Sequence, residues 1–112
     1  FSRWDPRVLA DYVQAGFEDV EGQVRLRFTR EVEAHIYRTL PHHLPLLLRL
    51  RPPQCPVGFI GGTRSTELRQ AGAAVSMKLA GEHWRWMEGS HLFPFEKPDE
   101  TADLVLALLE SA

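Results

Sequence analysis

His91 has the setting richest in chemistry. It lies in the run Glu88-Gly89-Ser90-His91-Leu92-Phe93-Pro94-Phe95-Glu96-Lys97-Pro98, behind two small residues that leave an imidazole room to swing. Imidazole titrates near neutrality, so a positioned histidine can take and return a proton at physiological pH. The run follows a short apolar-aromatic segment and precedes a helix start. In open parallel sheets, ligands bind and reactions run at the carboxyl ends of strands. A loop histidine that only hydrogen-bonds a carbonyl needs none of this, and that plainer role stands beside the proton-transfer one.

A base needs a nucleophile or a water to act on. Ser2, Ser65, Ser76, Ser90 and Ser111 all lack the Gly-x-Ser-x-Gly setting that exposes a serine on a strained turn. His42 and His43 are adjacent and point apart on any regular backbone, and His35, His83 and Cys55 supply no converging set. No metal and no cofactor is therefore expected. Gly61-Gly62 precedes a helix but lacks the spacing of a phosphate-binding loop. Trp84 and Trp86, two apart on a strand, are expected to pack under helices, with substrate contact as the alternative. Glu96 is expected to brace the last helix near its positive end.

The elements that must hold these groups follow from caps, breakers and periodicity. Asp5-Pro6 starts a helix, with Val8, Leu9, Tyr12 and Val13 on one face and Gly16 at its end. Gln23 to Phe28 alternates as a half-buried strand after a turn at Glu21-Gly22. Thr29 caps a helix striped by Val32, Ile36 and Leu40, and Leu44 to Leu50 forms a short apolar one. Tyr12, Phe17, Tyr37 and Leu44 are expected to face a core, with substrate lining as the alternative. Pro56 to Ile60 reads as a strand buried on both faces. Ser65 or Thr66 caps a helix carrying Leu68, Val75 and Leu79, weakened by Gly72. Trp84 to Met87 is a second strand, and Pro98 opens a helix striped by Ala102, Val105, Leu106 and Leu109.

Strand, helix, strand, helix over the second half is an α/β pattern that favours a mainly parallel sheet. Two parallel strands expose edges and an uncovered face, so the pattern asks for more sheet than the chain supplies. The chain also opens on Phe1, and Phe1-Ser2-Arg3-Trp4 has no signal-peptide character. A piece of a longer, cytoplasmic protein is the expectation.

Composition narrows the classes. A length of 112 residues suits one domain, and 44% hydrophobic with 25% charged residues suits a folded chain. A formal charge of -2 without charge blocks implies no nucleic-acid partner, and no apolar run is long enough for a membrane helix. The single Cys55 excludes an internal disulfide. Lysine is confined to Lys78 and Lys97 among 13 basic side chains, a bias in the direction of a GC-rich bacterial source.

The run Gly89 to Pro98 resembles the catalytic-histidine loop of α/β-hydrolases, where Gly-small-His is followed by Glu-x-Pro opening the last helix. Cys55-Pro56-Val57-Gly58-Phe59-Ile60-Gly61-Gly62 is similar to that family's penultimate core strand. Glu21 to Leu26 and Glu33 to Tyr37 resemble the cap of esterase-like members. The resemblance implies a triad in the order nucleophile, acid, histidine, with His91 as base. It implies that the nucleophile and oxyanion hole lie upstream of Phe1, so that this polypeptide alone is inactive. The family often places its acid after the penultimate strand, where this chain has Ser65. Glu67, two residues on, is the candidate acid within the chain, and a position after the preceding core strand, upstream of Phe1, is the alternative.

The expected architecture is thus the C-terminal portion of an α/β-hydrolase: residues 1–53 as cap and connecting helices, residues 54–112 as the last two strands and helices of the sheet. The parent would hydrolyse an ester or similar small carbonyl substrate. The expected partners are the missing N-terminal half or another copy of the chain. Two other readings remain. One is a complete non-enzymatic α+β interaction module, with Trp84 and Trp86 at a partner surface. The other is a hydrolase relative that lost activity with Ser65 in place of the acid.

Overall fold

The computed structural model describes residues 1–39 and 43–111. Among them the chain is mixed α/β, with seven helices and two two-stranded sheets, one antiparallel and one parallel. Leu40 and His42, named above, fall outside the described residues.

Local signals build the first half. α1 (Pro6–Gly16) starts where the Asp5 carboxylate accepts the Arg7 backbone N–H at 2.8 Å and proline takes the first turn. Then comes a strand the sequence pattern does not show, β1 (Phe17–Val20), paired antiparallel with β2 (Gln23–Leu26). Phe-Glu-Asp-Val does not alternate, so periodicity misses it. The turn makes it: Glu21 and Gly22 both have positive φ (56° and 78°), the geometry that matches strand twist in two-residue hairpins. The Asp19 carboxylate accepts the Gly22 N–H at 2.9 Å and steadies that turn. α2 (Arg30–Arg38) is capped by Thr29, as expected, and α3 (Leu44–Leu50) follows.

The second half is layered. β3 (Phe59–Gly62) and β4 (Trp84–Met87) run parallel, Phe59 opposite Trp84 and Gly62 opposite Met87. The crossover between them is two helices, α4 (Thr66–Ala71) and α5 (Ala74–Ala80), where one was expected. Gly72 between them has φ +84°, a left-handed backbone that ends α4. After β4 comes an unforeseen single turn, α6 (Phe93–Glu96), and then α7 (Pro98–Ser111).

Helices cover both faces of the parallel pair. Gly61 on one face sits against Leu68 of α4 and the rings of Trp84 and Trp86; Gly58, just before β3, sits against Leu108 of α7. Phe59 stacks on Trp84 with ring centroids 4.5 Å apart. The buried apolar set is small: Ala80, Phe93 and Leu108. The strand expected to be buried on both faces is only partly so. Gly61 and Gly62 are buried while Phe59 and Ile60 are half-covered, because β3 has a single neighbour among the described residues.

The surface is correspondingly large, 9092 Å², against about 6,300 Å² for a compact chain of this mass. The radius of gyration is 17.2 Å, against about 13 Å for a compact domain of this length. Large apolar side chains contribute to the excess surface. Val32, Ile36, Leu46, Leu47 and Leu50 of α2 and α3 are all exposed. Tyr37 and Leu44, expected to face a core, are exposed too; Tyr12, also exposed, and the half-buried Phe17 join an aromatic cluster with Phe1 and Trp4. Trp86 is 51% exposed and only partly under its helix. No described helix is long and apolar enough to cross a membrane.

Candidate active site around His91

Two loops leave the carboxyl ends of β3 and β4 side by side, and backbone hydrogen bonds zip them together. The Thr63 N–H donates to the Met87 carbonyl and the Arg64 N–H to the Gly89 carbonyl, both at 2.9 Å. Gly62 is indispensable to this approach: a Cβ there would meet the Ser90 carbonyl oxygen at 2.2 Å. The ladder delivers Ser65 at the end of one loop to His91 at the end of the other.

Ser65 Oγ lies 3.0 Å from His91 Nδ1. The serine is 2% exposed and its hydroxyl also caps α4, accepting the Leu68 N–H at 3.0 Å. His91 itself is exposed, and among the described residues no side chain bonds its Nε2. Glu67 stands next to this pair. Its Oε2 accepts the Thr66 hydroxyl at 3.0 Å and lies 3.5 Å from Ser65 Oγ. Its own backbone N–H first, then the Thr66 hydroxyl and the His91 charge, hold its carboxyl below the usual glutamate range. Among the described residues Glu67 and His91 meet through Ser65.

The loop behind His91 is braced by Glu96, whose side chain is 8% exposed. Its carboxylate accepts the Ser90 hydroxyl at 2.5 Å and the Ser90 N–H at 3.2 Å, and the Ser90 hydroxyl in turn accepts the Leu92 N–H at 3.1 Å. These donors, the Ser90 hydroxyl foremost, depress the Glu96 pKa. Glu96 was expected to serve the last helix; it sits instead in α6 and holds the histidine loop. Gly89 allows this, since a Cβ there would crowd Phe93 and the Glu96 carboxylate. On the rim, Glu88 pairs with Lys97 and Arg64, which hold its carboxyl at about 2.

The N-terminal segment also reaches this region, which nothing in the sequence announces. The Asp5 N–H donates to the Phe95 carbonyl at 2.8 Å, Trp4 meets Phe95 edge-on at 4.7 Å, and Arg7 pairs with Asp99 at 2.7 Å. An apolar cavity of about 470 Å³ lies elsewhere, between α3 and α5, lined by Pro45, Leu48, Val75 and Leu79 among others. None of Ser65, Glu67 and His91 lines it.

Chemically, the arrangement presents an imidazole with one nitrogen engaged and the other open to solvent. A serine 3.0 Å from a histidine also has the spacing of a nucleophile and its base. Ser65 does not fit that role, because its oxygen is buried and committed to the α4 cap. Among the described residues no cluster of histidine, cysteine and carboxylate side chains has the geometry of a metal site. Comparison with protein-family models, curated proteins and solved structures finds no match.

Proposed function

We propose that the chain is the C-terminal part of an α/β-fold hydrolase, residues 1–53 belonging to its cap and residues 54–112 to its core. The parent hydrolyses an ester or similar small carbonyl substrate through a nucleophile, a histidine and an acid, and His91 is the base. The observation that carries this reading is the placing of His91: exposed, beyond the carboxyl end of a parallel strand, with Nδ1 engaged by a buried side chain and Nε2 unencumbered. In an acyl transfer, Nε2 takes the nucleophile's proton and later gives it to the leaving group. The nucleophile and oxyanion donors come from another stretch of polypeptide, so this chain alone turns over no ester.

The test is a chromogenic short-chain ester assayed with the full parent and with its His91→Ala variant. We expect a loss of roughly 10²- to 10⁴-fold; equal turnover removes His91 from the mechanism. The same reading has the chain associate with its missing half or with a second copy. The open edges of the β3–β4 pair and the exposed apolar stripes of α2 and α3 support it. Sedimentation should then depend on concentration, and a stable folded monomer in dilute solution counts against it.

A non-enzymatic interaction module is the second reading, favoured by the half-exposed indole of Trp86. An upstream reading frame carrying strands and a nucleophile elbow decides for the hydrolase, and a start codon next to Phe1 for the module.

A further inference from the structure

We propose that Ser65 is a positioning residue that links His91 to Glu67: His91 donates from Nδ1 to Ser65 Oγ, and the Ser65 hydroxyl donates onward to the Glu67 carboxylate. The neutral ring then carries its proton on Nδ1 and keeps Nε2 bare. The catalytic meaning of this linkage rests on His91 being the base proposed above; the linkage itself does not.

The argument is a count of what one buried hydroxyl can do. A serine oxygen has one proton to give and two lone pairs to offer. Ser65 Oγ has three polar neighbours: the Leu68 N–H at 3.0 Å, His91 Nδ1 at 3.0 Å and Glu67 Oε2 at 3.5 Å. Leu68 N–H can only donate, so it takes one lone pair. The Glu67 carboxylate, held ionised at neutral pH by its local donors, can only accept. The hydroxyl proton therefore satisfies every neighbour only when it points to Glu67, and the second lone pair is left for an Nδ1–H. The opposite assignment, with Ser65 donating to Nδ1, turns a serine lone pair toward a carboxylate in a site where Ser65 is 2% exposed. Glu67 itself is exposed and solvated, so the cost of that mismatch falls on the buried serine oxygen, whose lone pair water does not reach.

This gives Ser65 the work that an acid does in direct contact with an imidazole, at one remove. A neutral hydroxyl cannot compensate an imidazolium charge, but it can fix the ring's orientation and tautomer and pass the carboxylate's pull through a polarised bond. It also explains why Glu67, placed two residues beyond Ser65, lies close enough to matter. Residues 65 to 67 wrap the start of α4, where the Ser65 hydroxyl takes the Leu68 N–H and the Glu67 carboxylate its own backbone N–H.

The tautomer is directly measurable in this chain by nitrogen-15 NMR of the imidazole, assigned with His91→Gln. Neutral His91 is expected to be protonated mainly on Nδ1, the opposite of free histidine. A wild-type ring protonated mainly on Nε2 overturns the proposal, because Ser65 is then the donor. Glu67→Ala keeps the Ser65 cap and is expected to shift the population toward the Nε2 tautomer; an unchanged population removes Glu67 from the linkage. Ser65→Asp keeps both the cap and the acceptor, and is expected to hold the Nδ1 proton and raise the imidazole pKa. No substrate or missing half enters these measurements, so they fail or succeed separately from the ester assay.

Discussion

Residues 1–53 and residues 54–111 are built with the same local grammar and reach different ends. In both, some helices start at side-chain caps, α1 at Asp5, α2 at Thr29 and α4 at Ser65, others start at a proline in the first turn, and the strands lie next to glycines. In the second half those elements are layered, with α4 over one face of β3–β4 and α7 over the other, and the buried residues Ser65, Ala80, Phe93 and Leu108 all lie there. In the first half α2 and α3 carry apolar stripes as regular as any, yet leave them in solvent. Amphipathicity says that a helix has a face to bury; it does not say against what. The difference locates the site as well, because His91 is positioned by the half in which backbone and side chains interlock.

The sharpest way to break this contrast is at Gly62. Its Cβ would strike the Ser90 carbonyl, which is backbone and cannot rotate away. Gly62→Ala should cost about 3 kcal/mol and separate the two loops that bring Ser65 to His91. Urea unfolding followed by tryptophan fluorescence reads the first effect and the His91 tautomer the second. A midpoint unmoved by Gly62→Ala would mean that the loops do not approach as described.

A paired substitution compares the halves themselves. Leu108, 8% exposed, covers Gly58, whereas Ile36 on α2 is 46% exposed. Leu108→Ala should lower stability by about 2 kcal/mol, and Ile36→Ala by no more than about 0.5 kcal/mol. Comparable losses would show that α2 is buried in solution, by a partner or by the chain itself.

What the sequence discloses follows the same line. The caps at Asp5, Thr29 and Ser65, the strand at Trp84 and the helix from Pro98 are legible because each is written within a few residues. The loop that carries His91 is legible as a loop, from Gly89 and Ser90 beyond the strand. β1 is not, since its pairing is imposed by the left-handed turn at Glu21-Gly22 rather than by alternation. The division of the crossover helix at Gly72 is half-legible, as a weak point without a geometry. The contact of Ser65 with His91 spans 26 residues and depends on the parallel register; spacing along the chain carries no trace of it. The same holds for Glu96, which is near the last helix in sequence and under Ser90 in space.

Glu96 allows the comparison to be drawn with pH. Its carboxyl is depressed in the folded chain below the ordinary 4.5, so it contributes stability above that value and loses it as pH falls through the folded pKa. Glu96→Gln should cost about 1 to 2 kcal/mol at neutral pH, where the charged hydrogen bonds to Ser90 are present. The gap between wild type and variant should begin to close as the pH drops below about 4.5, where the unfolded chain takes up the proton, and should vanish once the pH is below the depressed folded value, where both side chains are neutral. Unfolding midpoints at pH 7 and pH 3 check this; a gap that stays constant would show that Glu96 acts through packing and not through its charge.

The smallest effect should fall where the structure is least interlocked. Thr29 caps α2 by accepting the Val32 N–H at 3.4 Å, a long bond at the start of a nine-residue helix. Removing an N-cap typically costs about 0.5 to 1 kcal/mol of helix stability. A helix this short is marginal on its own and borrows stability from whatever it packs against. Because Val32 and Ile36 are exposed, α2 has little to transmit to the layered half. Thr29→Ala should therefore lower the helical signal in far-ultraviolet circular dichroism while leaving in place the fluorescence midpoint of the three tryptophans, of which Trp84 and Trp86 lie in β4 and Trp4 packs on Phe95. If both signals fall together, the two halves unfold as one unit, and the exposed stripe of α2 is covered in solution.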